Sequence, residues 1–208
     1  MEAQTKETQD KMTPDKSLNE LKLGNQRFVN KNQLNRDLLR QVKETSTGQY
    51  PFATILSCID SRVSSELIFD QGIGDIFSVR IAGNFVNEDI LGSMEFACKL
   101  AGTKLIVVLG HTACGAVKGA CDHARLGNLT ALINKIEPAV DAVIEPQDKS
   151  LRNSSNIEFV NRVAEKNVEM TISEIRSASS VLNEMEKNGE IKIIGGIYDI
   201  ASGLVSFN

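Results

Sequence analysis

Residues 52–57, 75–79, 104–109 and 191–197 are short apolar runs, and three of them show little of the polar alternation that a strand with one wet face would carry. Strands written this way are covered on both faces, the condition of a parallel sheet whose crossovers are helices. Between the runs lie helical patterns, with apolar residues three or four apart, over residues 90–100, 116–124, 129–143 and 157–175. A break is expected at Pro138, and Ser177 to Ser180 reads as a break with a new cap before a last helix ending at Asn188-Gly189. The alternation predicts an α/β fold: a mainly parallel central sheet of four strands, flanked by helices, with an antiparallel edge strand contributed by residues 198–207.

The first 16 residues are polar and charged, with Pro14, and predict a mobile tail; residues 17–208 are expected to form a single domain. Ser17 reads as the cap of the first helix, with Glu20 completing a capping box ahead of Leu21 and Phe28. A chain of 208 residues can bury roughly 70% of its unfolded surface without disulfides. The net charge of −4 and the scattered cations exclude a basic face for nucleic acid and give no clear attraction to an anionic membrane. No run approaches the length of a membrane span, and the opening residues lack the apolar core of a secretory signal, so a cytoplasmic protein with free thiols is expected. Gly72-Ile73-Gly74 lacks the third glycine of a dinucleotide fingerprint, and no phosphate-cradling loop is present.

Chemistry concentrates after two of the strands. Cys58-Ile59-Asp60-Ser61-Arg62 follows the first and His111-Thr112-Ala113-Cys114 follows the third. In an open parallel sheet both would meet beyond the strands' carboxyl ends. Cys114 precedes a helix, where backbone N–H groups favour a thiolate. Two thiolates and one imidazole suit Zn2+, and three protein ligands leave a position for water, which distinguishes catalytic from structural zinc. Asp60 has two roles open to it, orienting that water or occupying the fourth position itself. Arg62 decides between them if its guanidinium forks onto the carboxylate. Cys98 and Cys121 read as packing thiols, and His123 as a solvated surface imidazole.

Together with Arg80-Ile81-Ala82-Gly83-Asn84, Gly110, Gly115 and Gly195-Gly196-Ile197-Tyr198-Asp199, these motifs stand in the order found in the β-class carbonic anhydrases, which the chain resembles from about Leu18 to Asn208. The resemblance implies one Zn2+ per subunit on Cys58, His111 and Cys114, with Asp60 as a fourth ligand in a closed state. It implies Asp60 and Arg62 as a catalytic dyad, and reversible hydration of carbon dioxide to bicarbonate by attack of zinc hydroxide. Gln49 matches the substrate-binding glutamine of the plant-like branch, Phe77 and Phe96 fall at its pocket aromatics, and Ala82 and Gly115 would line the same pocket. In the family that pocket lies at a homodimer interface, with glutamine and aromatics given by the neighbouring subunit; dimers also pair into tetramers. The inhibitory bicarbonate site of some members is incomplete here: Arg80 and Tyr198 are present, but Ile55 stands in place of a Trp. Two other readings stay open, a carbonyl sulfide or carbon disulfide hydrolase on the same site and a zinc or thiol protein without turnover.

Overall fold

The computed structural model describes residues 2–208. Helices α1 (Lys6–Asp10), α2 (Pro14–Val29) and α3 (Leu38–Glu44) precede strand β1 (Ala53–Ser57). Then come α4 (Ser65–Ile68), β2 (Ile76–Arg80), α5 (Glu88–Glu95), β3 (Leu105–His111), α6 (Gly115–Cys121), α7 (Gly127–Ala142), α8 (Ile157–Ala178), α9 (Ser180–Lys187), β4 (Lys192–Tyr198) and β5 (Val205–Phe207). The strands form one sheet in the order β2-β1-β3-β4-β5, parallel except for the antiparallel pair β4-β5. This is the expected α/β architecture, with the expected antiparallel edge.

β1 and β3 are buried along their full length. Successive side chains alternate between two cores: Ile55, Leu105, Val107 and Leu109 face Leu21 and Phe69 on one side, whereas Leu56, Ile106 and Val108 face α5, α8 and α9 on the other. A third cluster, beyond the carboxyl ends of the central strands, packs α6, α7 and the first turns of α8 around Cys58 and Cys114.

Several boundaries differ from expectation for identifiable reasons. Residues 2–16, expected as a mobile tail, instead carry α1 and the start of α2 and are anchored at two points: Ala3 is buried, and Gln9 Nε2 donates to the carbonyls of Pro51 and Ala101, both at 2.8 Å, while Thr5 caps α1 in a capping box. Met1 lies outside the described residues. The first long helix starts at Pro14, not after Ser17, because proline suits the first helical position and Thr13 accepts the Lys16 N–H. Ser17 is buried inside it. Pro138 sits within α7 and does not end it. Residues 96–100 leave α5 through a wider π turn, and α3 and α4 are short elements that carry little periodicity. The Ser179 cap is as expected: its hydroxyl accepts the Leu182 N–H at 3.1 Å and donates to Glu95 at 2.6 Å.

Candidate metal centre

β1 and β3 are parallel neighbours with Ser57 beside Leu109, so the residues that follow both strands emerge at one edge of the sheet. Cys58 leaves β1 there and His111 closes β3. Cys114, the cap residue of α6, returns to the same point. All three are buried, and their ligand atoms lie within 4.8 Å of one another.

The donor set fits a tetrahedral dication. Zinc–sulfur bonds of about 2.3 Å at the tetrahedral angle would place two sulfurs about 3.8 Å apart; Cys58 Sγ and Cys114 Sγ are 3.9 Å apart. His111 Nδ1 lies 3.0 Å from the Thr112 carbonyl oxygen, and since a carbonyl only accepts, Nδ1 carries the proton. Nε2 is therefore an acceptor, and it is buried with no hydrogen-bond partner. A buried lone pair aimed at two sulfurs is costly unless a cation receives it. The thiols are tuned in opposite directions. The Cys114 thiol, and after it the Gly83 N–H (3.4 Å), hold Cys58 well below the usual thiol range against burial. The adjacent Cys58 sulfur and burial push Cys114 far up.

Asp60 stands at the rim. Arg62 forks onto it, Nε to Oδ1 at 2.9 Å and Nη2 to Oδ2 at 2.7 Å, and the Arg62 backbone N–H adds a third bond at 3.0 Å. This pairing holds the carboxyl far below the ordinary carboxylate range. Asp60 Oδ2 is 3.9 Å from His111 Nε2, beyond hydrogen-bonding distance. Arg80 fixes the turn itself, donating from Nε to the Cys58 carbonyl (3.0 Å) and from Nη2 to the Asp60 carbonyl (2.7 Å).

The family model described as carbonic anhydrase matches residues 53–205. Carbonic anhydrase 2 of Mycobacterium tuberculosis strain H37Rv is 34% identical over 163 residues, covering 76% of this chain and 74% of its own length. The carbonic anhydrase of Mycolicibacterium smegmatis is 33% identical over 162 residues, with 76% and 74% covered. Among solved structures, a β-carbonic anhydrase of Aspergillus fumigatus superposes with a TM-score of 0.71 at 29% identity, over 80% of this chain and 79% of that one. One of two tetrameric β-carbonic anhydrases of Sordaria macrospora gives 0.67 at 25%, over 78% and 82%. The chain belongs to the β-carbonic anhydrase family.

Within this carbonic anhydrase the remaining predicted residues do not all gather at the cluster. Gly115 adjoins Cys114, and a Cβ there would meet nothing within 4 Å, so the backbone borders open space. Ala82 is half-buried in the turn after β2, next to Gly83. Gln49 instead lines a cleft with Thr45, Ser46 and Gly74. Phe77 and Phe96 pack edge to face, centroids 6.3 Å apart, in another cleft with Thr54 and Arg80. Neither cleft includes a residue of the cluster. Cys98 and Cys121 are buried free thiols, each pushed up to about 11 by burial. His123 is exposed, 2.9 Å from Glu137. The sequence reading missed Asn161 and Asn167 of α8, which bond across 48 and 84 residues to the His111–Cys114 turn and to Gly83, whose N–H reaches Cys58. No motif marks them, because their partners are backbone groups.

Proposed function

We propose that this carbonic anhydrase works on a zinc ion held by Cys58, His111 and Cys114, with Asp60 and Arg62 as the groups that orient the nucleophile. The observation that carries this reading is the buried, partnerless His111 Nε2 facing two sulfurs 3.9 Å apart. Zinc in such a set acts as a Lewis acid, lowering the pKa of a water so that hydroxide is available to attack carbon dioxide. Asp60, kept ionised and doubly gripped by Arg62, only accepts hydrogen bonds. It can accept a hydrogen bond from the nucleophile's O–H and so point an oxygen lone pair at the substrate. Arg80 holds the backbone of the Asp60 turn by its carbonyls, and the Arg62 fork is what keeps the carboxylate itself from swinging inward. Ala82 and Gly115 are small residues next to Gly83 and Cys114, and would leave room for a linear neutral substrate.

Gln49, Phe77 and Phe96 take part across a subunit boundary. Their separation from the cluster within one chain, and the exposure of Phe96 beside β2, the unpaired edge of the sheet, support a homodimer in which the partner completes the pocket. The glutamine and the absence of tryptophan favour the plant-like branch without the inhibitory bicarbonate site. The test is zinc content and carbon dioxide hydration measured on one preparation, with carbonyl sulfide and carbon disulfide as comparison substrates. Stoichiometric zinc and preferred turnover of carbon dioxide are expected. Zinc-replete protein that turns over only a sulfur substrate, or nothing, would overturn the reading.

A further inference from the structure

Helix α8 carries none of the three cluster residues, yet two of its amides bond to segments that touch them. Asn167, buried, donates from Nδ2 to the Gly83 carbonyl at 2.7 Å, and the N–H of that same Gly83 donates to Cys58 Sγ at 3.4 Å. One turn and a half earlier on the helix, Asn161 Oδ1 accepts the Ala113 N–H at 2.9 Å. Ala113 lies between His111 and Cys114 with φ at +54°, a left-handed conformation that costs a non-glycine residue about 1–2 kcal/mol and persists only where neighbours impose it. The helix can reach both turns because it lies close to the sheet: a Cβ at Gly110 or Gly195 would come within 2.7 Å of Val168.

We propose that Asn167 and Asn161 are positioning residues, and that α8 clamps both halves of the metal centre. Asn167 fixes the carbonyl that follows the Gly83 Cα, and so restrains the backbone rotation of Gly83 on which the aim of its N–H at the Cys58 sulfur depends. Asn161 holds the strained turn that sets His111 and Cys114 at their mutual distance. Gly83 is suited to this and hard to replace: its φ is +80° and a Cβ would fall 2.3 Å from Ile136. Ligand atoms held from outside in this way bind metal more tightly, and loss of such a support costs typically about 10–100-fold in affinity.

The inference rests on Cys58, His111 and Cys114 being the ligand set, and its test separates the two ideas. Zinc affinity is measured by competition with a chromophoric chelator for the wild type, Asn167→Leu, Asn161→Leu and Asn161→Asp, and the thiolate charge-transfer bands are recorded after Co(II) substitution. Both leucine variants should lose about 10–100-fold in affinity, and Asn167→Leu should shift the charge-transfer bands. Asn161→Asp, which keeps the acceptor oxygen, should stay near wild type. Asn167→Thr, polar but too short to reach Gly83, carries the same expectation as the leucine if that variant does not fold. Unchanged affinity and spectrum, with only a lower melting temperature, would overturn the clamp alone. A wild-type protein that takes up no zinc would overturn the ligand set, and the clamp with it.

Discussion

Each residue at the centre has one task that its chemistry allows and a close variant would lack. Asp60→Ala removes the acceptor but no proposed ligand, so hydration should fall by about 100-fold or more while zinc content stays at the wild-type level; stopped-flow turnover and metal analysis on the same sample check this. Arg62→Ala should be nearly as damaging, because a carboxylate freed of its fork can turn toward the metal. The pH dependence follows from the sign of the Asp60 shift. Its pKa is depressed by Arg62, so it is ionised at all pH values above the ordinary carboxylate range, and kcat/KM between about pH 6 and pH 9 should show no step from its titration. A profile rising through mildly alkaline pH belongs to the nucleophile; a flat or falling one would contradict hydroxide attack. The Cys58, His111 and Cys114 cluster and the Asp60–Arg62 pair were legible in the sequence because both motifs are local and stand at the ends of neighbouring strands. Asn161 and Asn167 were not, since a side chain that bonds a distant peptide leaves no spacing to read.

Elements hold the site by close approach. Gly110→Ala or Gly195→Ala pushes a methyl against Val168 and should destabilise the protein by about 1–3 kcal/mol, with weaker zinc retention, as urea unfolding and chelator competition would show. On the opposite face, Asp70 at the end of α4 binds Arg27 of α2 and Arg36 ahead of α3. Burial alone would raise its pKa, but the two guanidinium groups and the Leu34 N–H outweigh it and hold it down. Its contribution to stability is therefore present above the unfolded carboxylate pKa of about 3.9 and is lost as pH falls through the folded value. Asp70→Asn should cost about 3–5 kcal/mol at pH 7, because Arg36 is left buried without its charge partner, and should flatten the acid limb of stability. The long periodic helices and the unalternating strands were predictable. The packing of α1 was not, because its anchor is one glutamine bonded to carbonyls 42 and 92 residues away, and polar composition alone reads as a free tail.

At the scale of the molecule, one chain holds the Cys58, His111 and Cys114 cluster, while Gln49, Phe77 and Phe96 sit in clefts elsewhere on its surface. Phe96, Leu39 and Leu100 are exposed apolar side chains, and β2 is an open edge. Phe96→Glu should shift the protein toward monomer in light scattering and lower kcat/KM while zinc is retained; a fully active monomer would contradict a pocket shared between subunits. The proposal of such a pocket comes from family resemblance, since a contact between two chains would leave no periodicity in either. Zinc K-edge X-ray absorption of the purified enzyme tests the centre most directly. Two sulfur scatterers at about 2.3 Å with one nitrogen near 2.0–2.1 Å and one further light atom are expected. A shell of four sulfurs, or one with no sulfur, would contradict it.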